Sequence, residues 1–430
     1  MDNGRSSNSH VTTNRSSAPR GMTRIELLVQ LAIVLVTLGV LLPLLMVGRE
    51  RARANQCRYQ LSQLGLAFQA YADSDPGEAF CQGAFDFLED GSPDHYSWIA
   101  SVRTVQGKSK LLDQLSGSTL LCPENPIRGS RVLEDLLQVD TAQLPGVDTS
   151  GEPRWSVGMC APHGELLSTA KGSNARLAAV GRAAADGWNT NYASSWFLVR
   201  GQPKLWLSTR NGLTPGGQQK WALSMKTNDT YVGCPRLSHR NCTTGPLTRR
   251  MLDNADYPSR SIPLLGDAAA TRDSLCLSSS MGWSLPRGSQ LASTTGQGPS
   301  MWDAKKSNVF TFTAPAPVPA QLLVPVEFPK RGDPVTQVVL AKCVGSSGST
   351  LILQDTRHWS AVHRGKLQLL MADGSVTTLE DKNGDGYINP GFPVVPRQEE
   401  SAEQLQQRAG YRDNVAEANY WEMFSGTLLS

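Results

Sequence analysis

One long apolar segment constrains this chain more than any other feature. Residues 31–48 read LAIVLVTLGVLLPLLMVG and contain no charged side chain. With residues 25–30 in front, the segment reaches about 24 residues, enough for a helix to cross a bilayer at about 1.5 Å per residue. The sequence therefore predicts a membrane-spanning helix over about residues 25–47.

Two interpretations of this segment leave something unexplained. In a cleaved secretory signal, ARA at 52–54 would be the cleavage site, but the apolar region is too long and Arg49 and Arg51 crowd that site. An ordinary membrane anchor explains the length. It does not explain Glu26, because a carboxylate inside a membrane segment costs a few kcal/mol unless it is paired.

The stretch GMTRIE that begins at Gly21 resembles the type IV prepilin signal shared by pilins and type II secretion pseudopilins. The resemblance implies that a prepilin peptidase cuts after Gly21 and methylates the new amino terminus, Met22. The apolar helix then stays in the mature protein. Glu26 becomes its fifth residue and Pro43 its twenty-second, where pilin helices also carry these residue types.

Each of these residues has a physical role under this interpretation. Glu26 can pair with the Met22 ammonium of a neighbouring subunit, which offsets the cost of desolvating the carboxylate. Pro43 removes a helical hydrogen bond and bends the helix. Arg24 departs from the usual apolar residue, although its side chain can reach the lipid headgroups. The implied partners are the peptidase, other pilin-like subunits, an inner-membrane assembly platform and membrane lipid.

Arginines flank the apolar segment on both sides, so the positive-inside rule gives no orientation. The prepilin resemblance implies a single-pass protein of the inner (cytoplasmic) membrane with its carboxyl-terminal head outside the cytoplasm. A position at the cell surface is also compatible with it.

The helix is predicted to continue beyond the membrane. Apolar residues recur there at helical spacing, namely Ala54, Cys57, Leu61, Leu64, Phe68 and Tyr71. This stripe predicts one helix from near residue 23 to near residue 71, with its outer half packed on the sheet of the head. Asp73, Asp75, Pro76 and Gly77 are expected to end it.

The remaining composition favours a turn-rich body built of strands. The chain has 39 glycines and 26 prolines, and only 18% of its residues are charged. We expect an α+β fold, with the long helix packed on a mainly antiparallel, β-rich extracytoplasmic head. The predicted segments are a leader (1–21), the helix (22–72), the head (73–395) and a polar carboxyl-terminal tail (396–430). The net charge of +3 lies largely in the leader, so no nucleic-acid partner is expected.

The best predicted strands are short runs rich in β-branched and aromatic residues. The clearest is a hairpin over residues 366–380, with its turn at Ala-Asp-Gly-Ser. The others are residues 196–208, 308–314, 336–344 and 349–355.

Four further elements resemble a large bacterial family of pilin-like proteins whose head has no known function (domain-of-unknown-function family 1559). They are the helix segment that starts at Cys57, LCPEN at 121–125, HRGKLQLLMADGSV at 363–376 and, more loosely, YPSRSIPLLGDAAA at 257–270. The resemblance implies a prepilin signal and helix joined to a secreted β-rich head. It implies no reaction, because the family has no established activity.

The eight cysteines are scattered without a CxxC pattern, which argues against a zinc site. They can form disulfides outside the cytoplasm or remain buried thiols. Eight cysteines allow 105 complete pairings, and their spacing does not choose among them.

The segment DKNGDGYINPGF that begins at Asp381 resembles a calcium-binding loop. Asp381, Asn383 and Asp385 match positions 1, 3 and 5, where oxygen ligands of calcium are found. Tyr387 can offer its backbone carbonyl and Asn389 the ninth ligand.

The twelfth position of this loop lacks the usual bidentate glutamate, since it is Phe392. Binding would then be weak or would need another carboxylate, such as Glu380. The alternative interpretation is an Asx-rich turn without a cation.

The sequence contains no GxSxG, Walker A, HExxH or GxGxxG motif, and we expect no enzyme activity. His358 and His363 point to opposite faces if the stretch is extended, which is poor geometry for a shared metal. We therefore expect a membrane-anchored pilin-like structural protein, a subunit or accessory of a type II secretion or type IV pilus-like assembly. The alternative is an anchored binding module for calcium, glycan or protein that uses the prepilin signal only for export.

Overall fold

A computed structural model describes most of the chain. The described ranges are residues 23–83, 97–105, 120–138, 169–202, 205–208, 220–223, 226–227, 230–231, 243–275, 285–296, 298–303, 307–311, 318–319, 350–418 and 421–426. The predicted leader and the predicted strand at 336–344 lie outside them. The chain divides into two compact units between Arg51 and Ala52.

The helices of the described ranges include one that is much longer than the rest. In chain order they are α1 (Arg24–Ser74), α2 (Trp98–Val105), α3 (Arg131–Gln138), α4 (Asn174–Ala183), α5 (Trp196–Arg200), α6 (Arg249–Asp253) and α7 (Ala402–Ala409). A π-helical turn follows α4 at Ala184–Trp188, and a 3₁₀ turn lies at Ser259–Ser261.

The strands are short and lie in the second unit. They are β1 (Gly129–Ser130), β2 (Tyr192–Ser194), β3 (Leu205–Ser208), β4 (Lys220–Leu223), β5 (Lys226–Thr227), β6 (Thr230–Tyr231), β7 (Pro263–Asp267), β8 (Ala270–Leu275), β9 (Gln290–Ala292), β10 (Pro299–Asp303), β11 (Asn308–Thr311), β12 (Val318–Pro319), β13 (Thr350–Gln354), β14 (Lys366–Met371) and β15 (Val376–Glu380).

The largest sheet has four strands in the order β15-β14-β7-β2, and all of its neighbours are antiparallel. The predicted hairpin is confirmed as β14 and β15, and Gly374 in its turn has a φ of +85°, which favours glycine. The smaller sheets are β1-β9-β8, β11-β10-β13, β12-β4-β3 and β5-β6, with one parallel pair, β1 with β9. The predicted α+β class with mainly antiparallel sheets is confirmed.

The carboxyl half of α1 packs into the core of the second unit. Cys57, Leu61, Leu64 and Phe68 are fully buried, and only 7% of Tyr71 is exposed. Burying a leucine or phenylalanine side chain stabilises a fold by about 1.5–3 kcal/mol. The predicted apolar stripe is therefore a core face of the folded unit.

Close contacts join this half of α1 to the β14–β15 hairpin. Gly65 lets the helix approach, because a Cβ there would lie 2.8 Å from the Leu370 side chain. Arg58 donates a hydrogen bond to the Val376 carbonyl at 3.2 Å, and Gln368 donates to the Ala54 carbonyl at 3.1 Å.

α1 ends where the sequence predicts. The Asp75 carboxylate accepts hydrogen bonds from the Gly77 and Ala79 N–H groups at 2.9 and 3.1 Å. This Asx turn replaces the next helical turn and directs the chain away from the helix axis.

Two segments differ from expectation. Residues 196–200, predicted as strand, form helix α5, because the Ser195 hydroxyl accepts the Leu198 N–H at 3.1 Å and caps a helical turn. The segment predicted as a polar tail instead contributes core residues, with Tyr411 and Phe424 fully buried.

Candidate functional site

The amino half of α1 exposes its apolar side chains. Ile25, Leu35 and Met46 are 74%, 60% and 63% exposed. Among the described residues, α1 is the helix that is long and apolar enough to cross a membrane. Exposed apolar surface of this extent is unfavourable in water. The amino half is thus compatible with a single-pass anchor.

Glu26 caps the helix that it begins. The Glu26 carboxylate accepts the Thr23 N–H at 2.9 Å, and the Thr23 hydroxyl accepts the Glu26 N–H at 3.3 Å. This reciprocal pair is a capping box, which satisfies backbone donors at a helix start. Because a carboxylate has about four acceptor positions, the capping box leaves capacity for a second partner.

The other predicted processing and assembly residues are only partly described. Gly21 and Met22 lie outside the described residues. α1 continues through Pro43. The cut after Gly21 and the bend at Pro43 remain predictions.

The loop that begins at Asp381 wraps its own carboxylates in backbone N–H groups. The Asp381 carboxylate accepts the N–H groups of residues 384, 385 and 386, at 2.7, 3.2 and 2.7 Å. Asn383 Oδ1 accepts the Asp385 N–H at 3.0 Å, and Asp385 Oδ1 accepts the Tyr387 N–H at 2.8 Å. The alternating side chains therefore turn toward one side of the loop.

Asn389 does not hold its predicted position as a ligand. Its Oδ1 accepts the N–H groups of Gly391 and Phe392, at 2.9 and 2.8 Å, and its amide donates to the Phe392 carbonyl. The Asn389 side chain closes the next turn. The role of the Tyr387 carbonyl as a ligand remains a prediction.

Glu417 completes the loop from a distant part of the chain. Its Oε1 accepts the Lys382 N–H at 2.7 Å and its Oε2 accepts the Asn389 N–H at 2.8 Å, so it spans both ends of the loop. One carboxylate oxygen each from Asp381, Asp385 and Glu417 lie within 4.8 Å of one another. We call these three residues the carboxylate cluster.

The carboxylate cluster is electrostatically costly when all three groups are ionised. The pKa of Glu417 is raised to about 7. Burial is the main cause, and the nearby charges of Asp385 and Asp381 contribute a smaller part. Burial also raises the pKa of Asp385. Like charges at this separation disfavour ionisation, whereas a divalent cation bound by oxygen ligands favours it.

A second cluster of side chains lies between α1 and the four-stranded sheet. Cys57 of α1 forms a disulfide with Cys122. His363, just before β14, places Nε2 at 3.0 Å from Asp267 Oδ2 at the end of β7 and at 3.7 Å from Cys122 Sγ. We call these four buried residues the cysteine–histidine cluster.

Asparagines hold the loop that carries Cys122. Asn191 Oδ1 accepts the Cys122 N–H at 2.7 Å, and Asn191 Nδ2 donates to the Cys122 and Ile127 carbonyls. Asn125 Nδ2 donates to the Ala268 carbonyl at 2.8 Å, next to Asp267. Burial raises the pKa of Asp267, and the hydrogen bond from His363 opposes that shift.

Sequence reasoning missed Glu417 and Asp267, which lie far from the motifs they complete. For His363, the sequence predicts only that it does not share a metal with His358. One signal was present: each residue of the cysteine–histidine cluster belongs to one of the four elements that carry the second resemblance. These elements are separate in sequence and meet in the fold.

Comparisons with known proteins support part of this resemblance. The sequence model of a family described as "Protein of unknown function (DUF1559)" matches residues 47–197. The match includes Cys57 and Cys122 and ends before Asp267 and His363. No curated protein and no solved structure matches the chain.

Proposed function

We propose that this chain is a membrane-anchored, pilin-like structural protein. A prepilin peptidase would cut after Gly21 and methylate Met22, and the amino half of α1 would anchor the head in the inner membrane. The mature chain would assemble with other pilin-like subunits on an inner-membrane platform of a type II secretion or type IV pilus-like system. The proposal assigns no catalysis to the chain.

The proposal rests on one observation, which is that the two halves of α1 differ in burial. Its amino half exposes apolar side chains, while Leu61, Leu64 and Phe68 in its carboxyl half are fully buried. A signal peptide cut at 52–54 would separate the apolar segment from the core helix. A prepilin leader leaves α1 intact.

The disulfide supports the position of the head outside the cytoplasm. Disulfides persist in oxidising compartments and are rare in the cytosol. Cys57 and Cys122 form a fully buried disulfide, which is the kind of bond that persists in an oxidising compartment.

Cross-linking in native membranes tests assembly. Single cysteines introduced at Leu28, Leu35 and Leu42, each about half exposed or more, are expected to give ladders of cross-linked subunits. The parent chain, treated identically, controls for its own cysteines. Glu26→Gln should reduce the ladders, because it removes the charge that pairs with Met22 of a neighbour. Monomers at every position would contradict assembly.

Glu417 favours a second candidate function, in which the head binds calcium through the carboxylate cluster. It supplies the acidic ligand that the loop sequence lacks at Phe392. Calcium takes six to eight oxygen ligands, so Asn383 and the Tyr387 carbonyl are proposed to join the three carboxylates.

Calorimetric titration of the detergent-solubilised full chain tests calcium binding. The full chain is used because a fragment that starts at residue 73 would lack the buried side chains of α1. We expect one calcium per chain, with Asp385→Asn and Glu417→Gln weakening binding by at least about tenfold. Asp373→Asn, in the exposed hairpin turn at the other end of β15, is the control. Equal heats in all four proteins would exclude the site.

A further inference from the structure

The cysteine–histidine cluster contains a complete set of ligands for one metal ion. Cys57 Sγ, Cys122 Sγ, one Asp267 oxygen and one His363 nitrogen all lie within 4.8 Å of one another, and all four residues are buried. Two sulfurs, an imidazole and a carboxylate are the ligand types that bind Zn²⁺ in proteins.

Two of the separations in this cluster are close to those around a tetrahedral ion. With Zn–N, Zn–O and Zn–S bonds of about 2.0–2.3 Å, ligand atoms on a tetrahedron lie about 3.3–3.7 Å apart. The separation from His363 Nε2 to Cys122 Sγ is 3.7 Å, and that to Asp267 Oδ2 is 3.0 Å. The two sulfurs, which are bonded to each other here, would have to move apart to about 3.7 Å when the disulfide is reduced.

Hydrogen bonding alone does not satisfy this cluster. His363 Nε2 faces both Asp267 Oδ2 and Cys122 Sγ, yet one ring nitrogen carries at most one hydrogen. Asp267 is fully buried, and its carboxylate is held by His363 and, more loosely, by the Gln368 N–H. Among the described residues, its Oδ1 makes no hydrogen bond of ordinary geometry. A buried carboxylate left in this way is costly unless a cation balances it.

We propose that Cys57, Cys122, Asp267 and His363 form a structural Zn²⁺ site whenever the two cysteines are thiols, and that the disulfide and the zinc ion are alternative ways of closing the same junction. Both tie α1 to the loop that carries Cys122. The zinc form would hold the head together before oxidation, and the disulfide form after it.

The exchange between the two forms balances. A dithiol reductant gives two electrons and two protons to the disulfide, which becomes two thiols while the reductant becomes a disulfide. Zn²⁺ then displaces both thiol protons to water as two Zn–S bonds form. In the opposite direction, a disulfide oxidant takes two electrons from the two thiolates and two protons from water, and becomes two thiols. The Cys57–Cys122 bond forms and Zn²⁺ leaves.

Cobalt substitution in the full chain tests the site. The detergent-solubilised protein is reduced with a phosphine and titrated with Co²⁺. We expect a thiolate-to-cobalt charge-transfer band and intense visible bands of a tetrahedral ion, saturating at one equivalent and lost on adding one equivalent of Zn²⁺. The oxidised protein should show neither band.

Two variants test the ligands, and a third is a control. Asp267→Asn keeps the shape of the side chain and both thiols, and should weaken cobalt binding by at least about tenfold. Cys122→Ser should remove most of the charge-transfer band. Cys81→Ser is the matched control, because Cys81 is buried outside the cluster and a serine hydroxyl can keep its bond to the Leu198 carbonyl.

Circular dichroism of the reduced Asp267→Asn protein, under the conditions of the titration, shows whether that variant is folded, so lost binding is not mistaken for unfolding. Absence of the bands in the reduced parent chain would overturn the proposal. So would bands of unchanged intensity in both Asp267→Asn and Cys122→Ser, since they would then arise from other cysteines.

Discussion

The two halves of α1 have opposite surroundings although they belong to one helix. Leu35 in the amino half is 60% exposed, whereas Leu64 in the carboxyl half is fully buried. The amino half is apolar on every side and the carboxyl half on one stripe only. A helix that is apolar on every side is stable in an apolar solvent, whereas a helix with one apolar stripe packs that stripe against a protein core.

The largest loss of stability is expected on removing the disulfide that joins the carboxyl half of α1 to the head. The cross-link spans 65 residues, so the loop-entropy relation gives a loss of about 4 kcal/mol in the free energy of unfolding for the Cys57→Ser, Cys122→Ser double variant. Urea unfolding followed by tryptophan fluorescence, without metal, measures it. Cys81→Ser should lose no more than about 1 kcal/mol. Equal losses would contradict the special role of the cross-link.

A matched pair of leucines tests the two halves directly. Leu64→Ala leaves a cavity in the core and should lower the free energy of unfolding of the head by about 2–5 kcal/mol. Leu35→Ala should leave it unchanged, because Leu35 is not packed in that core. The same urea titration in detergent compares them. A similar loss in both would show that the halves do not differ in this way.

Acidification should have two opposing effects on the head and should not release the anchor. The raised pKa of Glu417 favours the folded state as the pH falls, whereas His358 opposes folding. Burial lowers the pKa of His358 from 6.5 to about 4, so the unfolded chain binds the proton first as the pH falls. This residue then costs stability by about 1.4 kcal/mol per pH unit between those two values. His358→Leu should remove this loss, so the variant should gain stability relative to the parent chain as the pH falls from 6.5 to 5. Membrane retention should not change over that range.

The smallest expected effect concerns one hydrogen bond of the buried half. The Tyr192 hydroxyl donates to Gln60 Oε1 of α1 at 2.8 Å. Tyr192→Phe leaves that buried acceptor unpaired and should lower the free energy of unfolding by about 1–2 kcal/mol. Tyr59→Phe is the control, because Tyr59 is 54% exposed. An equal and negligible change in both would remove Tyr192 from the account.

The parts predictable from sequence were those with local patterns. The apolar stripe of α1, its end near Asp75 and the hairpin over 366–380 follow from periodicity and turn residues within a few positions. Residues 196–200 were misjudged, because short apolar runs fit a strand or a helix and the Ser195 cap decided the outcome.

The sites were less predictable, because their groups meet only through tertiary packing. The DKNGDG pattern indicated Asp381 and Asp385, but nothing near Glu417 marks it as a third carboxylate. Asn389 fits a ligand position by spacing, yet the turn uses its side chain. The partner of Cys57 could not be chosen by counting, since only the fold brings Cys122 beside it.

The mass of the mature amino terminus, measured on protein purified from membranes, tests the account most directly. A chain that begins at N-methylated Met22 would retain both halves of α1 and is the predicted result. A chain that begins at Asn55 would have lost the apolar half, and would contradict the claim that one helix serves both the membrane and the head.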